Sequence, residues 1–103
     1  MNRDDIELYL ACIEKSKDEY LNKDEQQLFI KLSSWVSSCA RILMEKKVHQ
    51  LRVQSYAMKA YWIDSEENML YIEWEEEKWS PRKGLSTKMH KSQFLLREVI
   101  KVV

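Results

Sequence analysis

The sequence is poor in the residues that make tight turns and close backbone approaches. Its 103 residues include one glycine, Gly84, and one proline, Pro81. A lone glycine cannot form the glycine-rich loop whose backbone N–H groups hold a phosphate. Turns must depend on Asn, Asp and Ser instead, so we expect few connections between long helices and strands.

Long apolar runs and net charge are also missing. No run approaches the roughly 20 apolar residues that cross a bilayer. The N-terminus, MNRDDIELYL, carries acid where a secretory signal carries base, so we expect a cytoplasmic protein without membrane contact. The formal net charge is zero, from 17 basic and 17 acidic residues. Overall electrostatics therefore gives no support for non-specific nucleic-acid binding. The length predicts a single domain over residues 1–103.

Cysteine and histidine are scarce, with two of each: Cys12, Cys39, His49 and His90. No two of them have the CxxC or HxxxH spacing of a local chelate, so we expect no metal and no cofactor. Both cysteines fall on the apolar sides of predicted helices, which predicts buried, reduced thiols. Neither a GxSxG motif nor a His beside a Ser or Cys nucleophile is present. We expect a protein that is not an enzyme.

Two helices are predicted in the N-terminal half, over residues 3–21 and 25–47. Asn2 is a suitable cap for the first helix. Asp24 followed by Gln27 resembles a capping box for the second. The second helix has the stronger apolar stripe, and Trp35 within it is expected to be core. The stripe consists of Leu28, Leu32, Trp35, Val36, Cys39, Ile42 and Leu43.

The chemistry changes after Lys47, where β-branched and aromatic residues predict strands over 50–63 and 69–76. DSEEN supplies the turn between them. The second strand alternates, so Leu70, Ile72 and Trp74 are expected on one face. The first strand is apolar on both faces. One face is predicted to carry Tyr56, Met58 and Trp62, and the other Val53, Ala57, Tyr61 and Ile63.

The C-terminal part has two possible assignments. Residues 77–86 are predicted to be a loop that overlaps the basic segment 78–91. Residues 87–101 are predicted to form a helix that buries Met89, Leu96, Val99 and Ile100. A third strand over 99–103 is the alternative.

Together these elements predict an α+β fold. An N-terminal helical hairpin packs on a β-hairpin, followed by a basic loop and a short C-terminal helix or third strand. This arrangement is loosely similar to small regulators and inhibitors encoded by phages, and it is compatible with a winged-helix variant. Little glycine with abundant lysine and glutamate is also common in proteins of phages and other mobile elements.

Charge is ordered along the chain. Residues 64–77 contain acids and no base, whereas residues 78–91 contain bases and no acid. Three interpretations are open. The segments pair with each other as surface ion pairs, they form a protein-binding surface with aromatic anchors and steering charges, or the basic segment contacts phosphates while Trp79 stacks on a base.

Trp79 is the favoured exposed anchor because it has no periodic partner and precedes Ser80-Pro81. We predict a small regulator or inhibitor that binds a protein partner stoichiometrically through the hairpin and the 78–91 loop, with a homodimer as a further possibility. A nucleic-acid-binding regulator that uses the 78–91 loop is the alternative. The predicted partner-binding residues are Trp79, Arg82, Lys83, Lys88, Trp62 and Tyr71.

Overall fold

Two helices begin the chain in the computed structural model, which describes residues 2–101. Helix α1 spans Arg3–Ser16 and helix α2 spans Lys23–Gln50. Each starts at a reciprocal capping box, Asn2 with Asp5 and Asn22 with Glu25. The predicted Asp24–Gln27 box is wrong because Asn22 already caps the helix and its N3 residue, Glu25, returns the bond.

Helix α1 is shorter than the predicted 3–21. Ser16 Oγ donates a hydrogen bond to the Ile13 carbonyl 2.7 Å away, which satisfies one of the last carbonyls. Asp18 and Glu19 follow, and acids are unfavourable at the negative end of a helix. The helix therefore ends about one turn early, and residues 17–22 form the connection to α2.

Helices α1 and α2 contact each other through an ion pair and a stacked pair of aromatic rings. Lys15 Nζ lies 2.8 Å from a Glu25 carboxylate oxygen, and the Tyr9 and Phe29 rings stack with centroids 5.6 Å apart. Burial raises the pKa of the Tyr9 hydroxyl. As predicted, Cys12 and Cys39 are buried free thiols. Within residues 2–101, no helix is long and apolar enough to span a membrane.

Three antiparallel strands follow in the order β1-β2-β3. They span Ser55–Asp64, Met69–Ser80 and Gly84–Leu95, and a short helix α3 covers Leu96–Ile100. The α+β fold is thus as predicted. The predicted loop over 77–86 is reduced to the turn at 81–83, and the helix predicted over 87–101 forms only over 96–100, because residues 69–80 and 84–95 are strands. Residues 99 and 100 of the alternative strand are helical, and 102–103 lie outside the described residues.

The error at β3 has a physical reason. Outward and inward positions of β3 mix apolar and polar residues, so its sequence lacks the two-residue alternation that identifies a strand. Strand β2 supplies the missing information, because its edge would otherwise leave backbone groups without partners. Pairing with β2 overrides the local helical pattern of residues 87–95.

The turn between β2 and β3 contains the single proline and is followed by the single glycine. Residues 81–83 form the turn, and Ser80 Oγ accepts a hydrogen bond from the Lys83 N–H at 3.0 Å. Gly84 has φ +69°, a conformation that costs other residues energy. Strand β2 continues to Ser80, directly before this turn, so the predicted strand over 69–76 is four residues too short.

The core lies between the helices and one face of the sheet, the inner face. As predicted, Leu70, Ile72 and Trp74 of β2 are buried there. Trp35 is only partly buried and packs against the edge of this core. Core residues from the helices are Ile6, Cys39, Ala40, Leu43, Met44, Val48, Leu96 and Val99.

A bulge in β1 corrects the predicted faces of that strand. The register with β2 shifts between Met58 and Ala60, so Lys59 is the extra residue. Before the bulge, Tyr56 and Met58 pair with Glu76 and Trp74, so the even-numbered residues of β1 point to the inner face. After the bulge, the odd-numbered residues point there instead. As a result Tyr61 and Ile63 share the inner face with Tyr56 and Met58, whereas Trp62 lies on the other face.

The molecule is elongated, with extents of 54 × 27 × 22 Å and a radius of gyration of 16.2 Å. A compact chain of this length would have a radius of gyration of about 13 Å. The difference arises from long elements, since a strand of twelve residues alone extends for roughly 40 Å.

At the turn end of β2, near Ser80, only β3 is a paired neighbour, because β1 begins opposite Glu77.

Candidate interaction site

The sheet has a second face, the outer face, that points away from the core. Its positions follow from the strand register, because side chains alternate between the two faces. On β2 these are Met69, Tyr71, Glu73, Glu75, Glu77 and Trp79, and on β3 Leu85, Thr87, Met89, Lys91, Gln93 and Leu95. Among residues 2–101 no helix packs on this face.

Apolar side chains are exposed at the turn end of the outer face. Trp79 is 65% exposed and pairs across the strands with Leu85, which is 64% exposed. Met89, 53% exposed, lies further along β3 on the same face, with Thr87 between them. We call Trp79, Leu85 and Met89 the distal patch. Its members are large apolar side chains that the fold leaves in water.

An aromatic cluster occupies the same face towards the other end. The Trp62 and Tyr71 rings stack with centroids 5.6 Å apart. Lys91 Nζ lies 5.3 Å from the Trp62 ring centroid and 4.7 Å from that of Tyr71. The Tyr71 hydroxyl donates to the Glu67 carboxylate, and this bond raises the pKa of Tyr71. The cluster is thus held by its own stacking, cation–π and hydrogen-bond contacts.

Carboxylates separate the aromatic cluster from the distal patch. Glu73, Glu75 and Glu77 occupy successive outward positions of β2. Lys91 lies opposite Glu73 in the register, and Met89 and Thr87 lie opposite the other two. The outer face therefore combines exposed apolar area with a surplus of acid.

The basic side chains of β3 divide between the two faces. Lys88 lies on the inner face opposite Glu76, away from Trp79. Its neighbour His90 stacks on Trp74 with ring centroids 4.3 Å apart, and His90 Nε2 lies 2.9 Å from Glu76 Oε1.

The Glu76 carboxylate contacts both His90 and Lys78 on that inner face. Its second oxygen lies 3.7 Å from Lys78 Nζ. The hydrogen bond with His90, with a smaller contribution from Lys78, lowers the pKa of Glu76. Part of the basic segment therefore pairs with the acidic strand, as one of the three interpretations expects.

The predicted partner-binding residues thus fall into four places. Trp79 joins the distal patch, and Trp62 and Tyr71 form the aromatic cluster on the same face. Arg82 and Lys83 lie in the turn next to Trp79, whereas Lys88 faces the other way. Tyr56 lies on the inner face, where its ring is T-shaped to the Trp74 ring with centroids 6.3 Å apart.

Sequence reasoning misses Leu85 and Met89 as members of the site. It places Met89 on a buried helical face and Leu85 in a loop. Their positions follow from the strand register. Because residues 81–83 form the turn, Ser80 pairs with Gly84, and the next pair along the strands is Trp79 with Leu85.

Comparison of the chain with models of known families, with curated proteins and with solved structures finds no match. In the part of the chain that the structure describes, no group of three His, Cys, Asp or Glu side chains is placed to hold a metal ion. The candidate site therefore depends on its own geometry, an apolar and acidic sheet face beside a basic turn.

Proposed function

We propose that this protein is a non-enzymatic regulator or inhibitor that binds a protein partner stoichiometrically through the outer face of its sheet. Trp79 is the anchor, and Leu85 and Met89 extend its contact area. Arg82 and Lys83 in the adjacent turn act as rim charges that influence encounter more than final affinity.

The exposure of the distal patch is the observation that supports this proposal best. Single exposed apolar residues are ordinary, but here Trp79 and Leu85 are directly paired and both are about two-thirds exposed. Tryptophan is enriched among the residues that dominate binding energy at interfaces. The patch also adds little to the core, so folding alone does not require large apolar residues there.

The acids of the outer face favour a protein partner over nucleic acid. Glu73, Glu75 and Glu77 share the face with Trp79, and carboxylates repel a phosphate backbone. Lys78 and Lys88, the lysines of the basic segment nearest to Trp79 on β2 and β3, lie on the opposite face. Nucleic-acid binding through residues 78–91 stays a prediction. A mobility shift at low salt that weakens steeply with added salt would favour it.

Photo-cross-linking tests the proposal even though the partner is unidentified. Benzoylphenylalanine replaces Trp79 in one variant and Ile30 in another, expressed in cells that naturally make the protein. Ile30 is the matched control because it is 68% exposed but lies on α2. We expect one defined cross-linked protein from position 79 and none from position 30.

A second substitution makes the cross-link specific to the patch. Leu85→Glu places a charge beside position 79 and is expected to abolish the cross-link, because a buried unpaired charge is costly at an interface. Ile30→Glu is expected to leave it intact. Equal cross-linking from positions 79 and 30, or a cross-link that survives Leu85→Glu, would contradict the proposal.

Three further expectations from the sequence accompany this proposal and stay predictions. They are a cytoplasmic location, an origin in a phage or another mobile element, and a possible homodimer. A cross-linked product of twice the chain mass from position 79 would identify a second copy as the partner.

A further inference from the structure

We infer that the free edge of β3 binds an extended acidic segment of a partner protein, added to the sheet as a fourth strand. This surface is separate from the distal patch, and it uses backbone groups together with a lysine-lined groove. This binding surface goes beyond the proposed function and does not depend on it.

The two edges of the sheet differ in how well they would accept a strand. The edge at β1 is interrupted by the bulge between Met58 and Ala60, where Lys59 is inserted. A bulge is one of the devices that protect sheet edges from pairing. Strand β3 has neither bulge nor proline and keeps an unbroken register with β2 from Gly84 to Leu95. Its outward backbone groups therefore form a continuous template.

A groove of about 460 Å³ lies beside this edge. Gln93 and Phe94 both line it although they point to opposite faces of the sheet, so the groove reaches around the free side of β3. Leu43 and Phe94 supply its apolar part. The other wall comes from α2 and from the end of α3.

The charge of this region selects the chemistry of the added strand. Lys46, Lys47 and Lys101 line the groove, and β3 itself carries Lys88 and Lys91 without any acid. Within residues 2–101, none of these five lysines forms a salt bridge. Among the described residues, Glu98 is the one acid that lines the groove. Lys91 contacts the Trp62 and Tyr71 rings on the outer face, so the cations available to an acidic segment are Lys46, Lys47, Lys88 and Lys101.

A second copy of this chain fits the edge poorly. Two β3 strands paired edge to edge would bring the lysines of one copy near those of the other, and like charges across strands are destabilising. The favoured occupant has acidic side chains on the inner side, towards Lys46, Lys47 and Lys88. Apolar side chains on its other side would point to the outer face. This is strand addition with alternate side chains giving specificity.

A labelled peptide of alternating Glu and Val tests the inference, with fluorescence anisotropy measured at physiological ionic strength. We expect saturable binding that weakens about tenfold or more when Gln replaces every Glu. The double variant Lys46→Glu, Lys47→Glu is expected to weaken it similarly. Lys23→Glu with Lys31→Glu, at the other end of α2, changes the net charge equally and is expected to leave affinity within about twofold.

N-methylated peptides distinguish strand pairing from simple charge attraction. Alternate N–H groups of a strand point to the same side, so methylation of either all Glu or all Val residues removes the hydrogen-bond donors of one side. We expect one of these peptides to lose binding about tenfold or more and the other to retain it.

Several outcomes would overturn the inference: no binding of the acidic peptide, equal binding of both methylated peptides, or tighter binding of a single-stranded oligonucleotide of equal charge. A homodimer with cross-links from β3 to β3 would assign the edge to a second copy instead. Trp79→Ala is expected to leave peptide affinity unchanged, so failure here is distinguishable from failure of the proposed function.

Discussion

Trp74 and Trp79 lie five residues apart on β2, but the first side chain is buried and the second is exposed. Trp74 is 1% exposed, and its indole N–H donates to Ser92 Oγ at 2.9 Å. Trp79 is on the outer face near the turn and is 65% exposed. The odd spacing sends the two rings to opposite faces of one strand. One half of β2 therefore holds the core together, whereas the other half presents a surface.

The contrast extends to the surroundings of each ring. Trp74 is T-shaped to the Tyr56 ring and stacks on the His90 ring. Trp79 has Leu85 as its cross-strand neighbour and a turn beyond it. The same residue type, on one continuous strand, thus serves folding where helices cover the sheet and is available for binding where they do not.

The greatest loss of stability is expected at the buried ring. Trp74→Ala should lower the free energy of unfolding by about 3–5 kcal/mol, because it leaves a cavity and removes the bond to Ser92. Urea unfolding of the variant measures this. If the variant fails to fold, Trp74→Phe keeps most of the apolar area and should still lose part of that stability. An unchanged midpoint in both variants would show that the buried ring matters no more to the fold than the exposed one.

A smaller effect is expected at the turn that ends the exposed half of β2. Gly84→Ala should cost about 1–2 kcal/mol, because φ +69° is unfavourable for a residue with a Cβ. No atom lies within 4 Å of the added Cβ, so the cost is conformational and not steric. Gly84→Asn is the control, since Asn tolerates this conformation better and should lose less. Equal losses for both variants in thermal unfolding would argue against the backbone explanation.

A still smaller effect concerns pH and the inner-face carboxylate. The pKa of Glu76 is lowered in the folded state, chiefly by its hydrogen bond with His90. A lowered folded-state pKa contributes stability that is present above the unfolded pKa, about 4.3, and is lost as the pH falls through the folded pKa. Glu76→Gln should therefore lose less stability on acidification to about pH 3 than the parent protein.

Glu75→Gln is the matched control for that measurement. Glu75 is the adjacent residue but lies on the outer face, and it forms no salt bridge among residues 2–101. A Glu76→Gln profile identical to that of Glu75→Gln would remove the role assigned to the bond with His90.

Parts of the fold and of the candidate site are accessible from the sequence alone. The alternation of Leu70, Ile72 and Trp74 predicts a buried face, because a strand half-covered by helices repeats every second residue. The exposure of Trp79 is also expected, although for an incomplete reason. It is exposed because it occupies an outward position of β2, and not because the strand ends before it.

The remainder depends on pairing, which local sequence does not encode. Nothing in residues 84–95 alternates clearly, so β3 is recognisable only as the partner that β2 requires. The bulge at Lys59 likewise reverses the faces of half of β1 without any glycine or proline to mark it. Both features decide which side chains share the outer face with Trp79.

The most direct test of the central claim combines stability and binding in one variant. Trp79→Ala is measured for its free energy of unfolding and, by calorimetry, for its affinity for the partner identified by cross-linking. We predict that stability stays within about 1 kcal/mol of the parent and that binding weakens by about 2 kcal/mol or more. A large loss of stability with unchanged affinity per folded molecule would contradict the account, since Trp79 would then serve the fold.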